Sequence, residues 1–267
     1  MFSYQFLRKK QYKDQKKAFK SLGKNQSIDN WSSIPYTCLK ARLNLEISVL
    51  FIYFIQHLKV TPNFISLIFA FLSILSGIFL ASNNNILILS GLIIIFFYGF
   101  LDQADGLLAR ITNQASEAGE ILDAWVGHLS TFSFTIGFGI YLYNLNQEKI
   151  FIFLILTFLL IKSLDIKNFS FILSYYTLIN SKKKLNLKFL NYKKGKNKIS
   201  KKLIFIKNFF QNFLDNRARS TDFLCLLILI NTFFYSISFI NYFFYYIIFK
   251  NLVLFLGSFY LIIIKKF

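Results

Sequence analysis

Residues 102–128 read DQADGLLARITNQASEAGEILDAWVGH, three Asp and two Glu set between long runs of Ile, Leu and Phe. The stretch is the acidic junction of two apolar helices. Asp102 and Asp105 stand at i and i+3, so both carboxylates project from one helix face. Intramembrane acids cost about 2.5 to 3.5 kcal/mol each at a span centre on insertion scales, and they persist where they face a polar cavity, a partner charge or a metal. Asp123, about one turn into the second helix, can come round to meet them. Three oxygen-donor carboxylates from two helices suit a hard cation such as Mg²⁺, Mn²⁺ or Ca²⁺. Small residues accompany the acids: Gly106, Ala109 and Gly119 permit close backbone approach, and Arg110 offers a planar cation for a phosphate. Acids, arginine and small residues together suggest a pyrophosphate-bearing substrate.

Composition places this junction in a membrane. Of 267 residues, 55% are hydrophobic and 19% aromatic, with only 2 Pro and 11 Gly, an apolar content above that of an ordinary soluble domain. Phe, Ile, Lys and Asn are abundant together, as codon bias in an AT-rich genome produces, so the Phe count is not an aromatic binding surface. The net charge of +19 comes from 31 Lys+Arg against 12 Asp+Glu, and the basic residues are clustered. Clusters beside apolar helices read as positive-inside anchors on anionic lipids, with no nucleic-acid partner expected. Cys38 and Cys225 lie far apart and form no metal-type spacing.

The expected fold is all-α, an integral membrane bundle of six transmembrane helices with an N-terminal interfacial amphipathic helix. Residues 1–43 hold ten Lys+Arg and no apolar run, so they read as a basic cytosolic leader, partly helical or disordered, without a signal peptide. Residues 44–60 keep Glu46, His57 and Lys59 among apolar residues, which fits a helix lying in the interface better than a clean span. Residues 61–267 form the transmembrane domain, with spans expected at about 63–81, 86–108, 119–143, 149–177, 221–240 and 243–264, each near the roughly 20 residues that cross 30 Å of hydrocarbon. A basic cytosolic loop of thirteen Lys+Arg occupies about 180–219. The charge alternation of the loops puts both termini and the acidic junction on the cytoplasmic side. No internal repeat or pair of broken helices suggests a secondary transporter.

The junction resembles the signature of the CDP-alcohol phosphatidyltransferase family, Asp-x2-Asp-Gly-x2-Ala-Arg-x8-Gly-x3-Asp-x3-Asp. Asp102, Asp105, Gly106, Ala109, Arg110, Gly119 and Asp123 fill seven of its eight fixed positions in register. The segment TPNFIS at residues 61–66 also resembles the family's entry into its first span. The resemblance implies displacement of CMP from a CDP-linked lipid or alcohol donor by a hydroxyl acceptor. It makes Asp102, Asp105 and Asp123 ligands of Mg²⁺ or Mn²⁺, has Gly106, Ala109, Arg110 and Gly119 seat the CDP moiety, and carries the expectation of a homodimer.

The eighth position is Gly127, where the family's last Asp is the base proposed to activate the acceptor hydroxyl. Three accounts compete. His128 has a suitable pKa but is turned by about 100° from position 127 on an ideal helix. Glu120, one turn before Asp123, supplies a carboxylate, although Glu117 and Glu120 also read as a solvated first turn beside the helix dipole. In the third account catalysis is lost and the chain binds CDP-lipid as a membrane partner protein. Lys162 with Asp165 and the pair Arg217 and Arg219 are weaker candidates, an ion pair and positive-inside anchors respectively.

Overall fold

The structure, a computed structural model, describes residues 2–21, 35–164, 217–234 and 239–264. The described residues are helical and contain no strand. The basic segment 180–216, the second half of the fourth expected span and Asp165 lie outside them.

Helix α1 (Tyr4–Ser21) starts on Ser3, whose Oγ accepts from the Phe6 amide at 3.3 Å. Helix α2 (Pro35–Ile55) begins nine residues before the interfacial helix read from sequence and ends in a 3₁₀ turn, Gln56–Leu58, closed by Lys59 at φ 48°. The apolar stretch from residue 44 is only its second half. Helix α3 (Pro62–Leu80) opens with Pro62 at its first position, where a missing N–H costs nothing, after an extended Thr61. Asn84 caps helix α4 (Asn85–Phe97), its Oδ1 accepting from the Ile86 amide at 2.8 Å. Helix α5 (Gly99–Ile111) follows directly after Tyr98, so the second expected span is two nearly continuous pieces.

The turn that brings the acids back on themselves has local causes. Asn113 adopts a left-handed φ of 57° and the Gln114 amide donates to the Ala109 carbonyl at 2.9 Å, a Schellman closure of α5. Ser116 then caps α6 (Glu117–Asn146) by accepting from the Gly119 amide at 3.1 Å. Helices α7 (Ile150–Ser163), α8 (Arg217–Phe234) and α9 (Phe239–Ile264) follow.

The chain divides into two compact units: Met1–Ile155 with Cys225–Ile237, and Leu156–Leu224 with Ser238–Phe267. In the first, α3 packs along α6 so closely that a Cβ on Gly137 would stand 2.4 Å from the Gly77 carbonyl oxygen. These glycines set the backbone separation, as small residues do between membrane helices. Leu7, Val49, Ile65, Leu101, Leu107 and Val126 form its core, drawn from α1, α2, α3, α5 and α6. Farther along α6, the buried Tyr141 hydroxyl accepts from Asn231 of α8 at 2.8 Å. In the second unit Phe158 and Phe244 are fully buried, and the rings of Phe223 and Phe243 meet at a tilt, their centroids 5.3 Å apart.

The outer face of α3 is apolar: Phe64, Leu67, Phe71, Ile74 and Ile78 are all exposed, at successive spacings of three and four. Its inner face carries Ser66, Ser73 and Ser76, all buried. A water-facing helix has the opposite pattern, so the distribution fits a hydrocarbon surround. Pro62–Leu80 and Asn85–Ile111 are each long and apolar enough to cross a membrane.

Candidate active site

Helices α3, α5 and α6 meet at the acidic junction. Asp105, at i+3 from Asp102, is buried at 6% exposure against α3, where the Ser66 hydroxyl donates to its Oδ2 at 2.6 Å. The other oxygen, Oδ1, accepts from the Gly106 amide. Hydrogen bonds to a charged group contribute about 1.5 to 3 kcal/mol each, so the Asp105 carboxylate is held in one orientation. Asp102 and Asp123 are exposed, and across the α5–α6 turn their carboxyl groups lie close enough for each charge to act on the other. Asp123 also lies close enough to Asp105 to act on its charge. The junction thus brings together the three Asp read from the sequence, from two helices.

The set fits a hard divalent cation by donor type, since every side-chain donor is a carboxylate oxygen. Among the described residues no group of three or more His, Cys, Asp or Glu side chains is arranged as a metal cage.

Gly106 and Arg110 stand one turn apart on α5, and a Cβ on Gly106 would come 3.1 Å from the Arg110 Nη1. The guanidinium is therefore folded back over the glycine, toward the acids. Ala109 is half-buried beside it. At Gly119 a Cβ would sit 3.3 Å from the Asn63 Oδ1 and 3.2 Å from the Ser116 Oγ, so the start of α6 closes tightly on the start of α3. At Gly127 a Cβ would meet nothing within 4 Å, and the site has open space where the signature has its last Asp. The Gly127 carbonyl accepts from Ser130 at 2.9 Å and Thr131 at 3.0 Å. Glu120 is exposed in the first turn of α6, and His128 is half-buried on another face.

Several residues of the junction carry no signal in the sequence. Ser66 lies within TPNFIS, but only the fold puts it on Asp105. Helix α1 is the larger surprise. Its Gln11 and Asp14 bind Arg110, and its Gln15 donates to Gln103 Oε1 at 2.9 Å, while Gln103 in turn donates to Asp102 at 3.1 Å. On the adjoining face Tyr4, Arg8 and Tyr12, at i, i+4 and i+8, all donate to Glu46 of α2. The Arg8 guanidinium, chief among these donors, holds the Glu46 carboxyl below the usual carboxylate range. Burial, followed by the bond to Glu46, pushes the Tyr4 and Tyr12 hydroxyls up. The segment read as a leader is, over Tyr4–Ser21, a helix docked beside the acids.

No curated protein and no solved structure matches the chain. A family model for CDP-alcohol phosphatidyltransferase matches residues 59–207, more than half of the 267 residues, and takes in α3 to α6 with the whole acidic junction. That match and the junction's signature agree, and the chain belongs to the CDP-alcohol phosphatidyltransferase family.

Proposed function

We propose that this chain transfers a phosphatidyl or other substituted phosphate group from a CDP-linked donor to a hydroxyl acceptor and releases CMP. Membership makes it a transferase of this general kind, in a family that generally depends on a divalent metal, with a CDP-alcohol and a hydroxyl compound as its substrate classes. The observation that carries the finer reading is the meeting of Asp102 and Asp123 beside an Asp105 oriented by Ser66. Asp102, Asp105 and Asp123 would hold Mg²⁺ or Mn²⁺, which when bound neutralises charge on the diphosphate. Arg110, lying over Gly106, donates N–H groups to a donor phosphate, Gly106 and Ala109 seat the CDP moiety beside it, and Gly119 lets the start of α6 close on α3 at the edge of that seat. The acceptor oxygen forms a bond to the lipid-bearing phosphorus as the bond from that phosphorus to the CMP oxygen breaks.

The acceptor's proton goes to a carboxylate or imidazole of α6. Glu120 shares the azimuth of Gly127 to within about 20° but stands about 10 Å before it along the helix, while His128 is adjacent and turned by about 100°; Glu120 is the base we propose because it keeps to the side of α6 that carries Asp123. The open space at Gly127 favours a second reading, a catalytically impaired relative that binds CDP-lipid or metal and supports another membrane protein. Six spans, both termini and the site on the cytoplasmic face, contact with anionic lipids and a homodimer belong to the same proposal. CMP release from purified protein in lipid tests it, with CDP-diacylglycerol, Mg²⁺ or Mn²⁺ and a panel of hydroxyl acceptors. Acceptor-dependent release that is lost in Asp105→Asn supports the transferase. Donor binding without release supports the second reading, and absence of both sinks the proposal.

A further inference from the structure

We infer that Gln11 and Asp14 of α1 are positioning residues for Arg110, and that α1, outside the residues the family matches, is a working part of the donor site. The inference rests on the transferase reading of Arg110. Asp14 Oδ2 accepts from Arg110 Nε at 3.0 Å, and Gln11 Oε1 accepts from Nη2 at 2.9 Å. Nε and the adjacent Nη2 hydrogen form one edge of the planar guanidinium, so α1 occupies that edge. The other end carries Nη1, which lies over Gly106, the neighbour of Asp105 in the chain. Arginine has five N–H donors in a fixed fork, and the end that α1 leaves is the one over Gly106.

The arrangement is built rather than incidental. Gln11 is 0% exposed, and a buried amide is costly unless its hydrogen bonds are made. It makes them to Arg110 and, from Nε2, to the Gln103 carbonyl at 3.4 Å. Both of those partners belong to the helix that carries the acids. Leu7, one turn earlier on the same face of α1, is also 0% exposed. On the adjoining face Glu46 holds Tyr4, Arg8 and Tyr12, so α1 cannot turn about its axis without breaking one set or the other. An arginine at an open helix end samples many rotamers and loses that freedom when a phosphate arrives. Here the loss is taken on folding, which is how preorganisation strengthens binding.

The test compares full-length wild type, Asp14→Ala, Asp14→Glu, Arg110→Lys and the double variant Asp14→Ala/Arg110→Lys in lipid nanodiscs. It reads the Kd for CDP-diacylglycerol, KM and kcat for CMP release, and Tm. Asp14→Ala is expected to raise Kd and KM about tenfold, equivalent to about 1.4 kcal/mol, with kcat and Tm little changed. Asp14→Glu recovers most of the affinity, and Asp14→Ala adds nothing in the Arg110→Lys background. Unchanged affinity in Asp14→Ala overturns the inference. So does tighter binding, which would make α1 a competitor for Arg110. Equal losses in both backgrounds would reduce Asp14 to a structural role. If wild type binds donor without releasing CMP, catalysis fails as a reading while the Kd comparison still decides this one. If wild type binds no donor, both fall.

Discussion

Gly127→Asp restores the missing acid of the signature, and the structure says what it will cost the fold. A Cβ at this position meets nothing within 4 Å, so the side chain enters open space rather than displacing a neighbour. Replacing a mid-helix Gly by Asp relieves about 0.3 to 0.5 kcal/mol of propensity cost, while a second carboxylate at i+4 from Asp123 adds repulsion of about 0.2 to 0.5 kcal/mol. The two nearly cancel, and Tm should move by less than about 2 °C. A positioned general base typically contributes about 10² to 10⁴ in rate, so acceptor-dependent CMP release should rise at least about tenfold at neutral pH. The assay is initial-rate CMP release in nanodiscs at saturating CDP-diacylglycerol, with Glu120→Gln made in both backgrounds. Glu120→Gln should cost the wild type most of its activity and the Gly127→Asp protein little. An unchanged or reduced rate in a folded Gly127→Asp protein would refute the reasoning, because it would mean that the open space does not face the acceptor.

Ser66→Ala removes the hydroxyl that fixes Asp105 and leaves the carboxylate with the Gly106 amide alone; CMP release should fall about tenfold, from a hydrogen bond to a charged group worth about 1.5 to 3 kcal/mol. Equal rates in Ser66→Ala and wild type would show that Asp105 needs no such support. The docking of α1 should depend on pH at both ends, read by hydrogen exchange of its amides. Glu46 has its folded pKa lowered by Arg8, so its contribution is present above the unfolded value of about 4.3 and is lost as pH falls through the folded one. Tyr4 and Tyr12 are raised, so theirs is present below about 10 and is lost as pH climbs through the folded values. Uniform protection from pH 3 to 11 would contradict this clamp. Gly137→Leu should lower Tm by several degrees, since its Cβ alone would reach 2.4 Å from the Gly77 carbonyl, whereas Ala124→Leu on the exposed side of α6 should not.

What could be read in advance follows from range. Helical content, the turn near Asn113 and the α5–α6 junction depend on periodicity, capping and residues near in sequence. The seven matching signature positions span only residues 102–123, so local spacing already placed those residues on facing helices. The start of α2 was hidden because residues 35–43 mix Lys40 and Arg42 with Pro35 and scattered apolar residues and hold no apolar run, and the helix there is supported by packing, with Thr37, Cys38 and Lys40 all buried. The break at Tyr98 left no mark in an unbroken apolar run.

By itself the amino-acid order determined a helical chain with segments apolar enough to cross a membrane, three Asp at the α5–α6 junction, an Arg beside them and no acid at 127, because each of these is a property of one helix or of two helices joined by a short turn. Tertiary structure alone decided that Ser66 orients Asp105 and that α1 reaches Arg110, contacts separated by 39 and 96 residues to Asp14. No periodicity links such positions. Their meeting depends on the Gly77–Gly137 approach of α3 to α6 and on the Glu46 clamp that lays a basic, polar helix across the acidic end of α5.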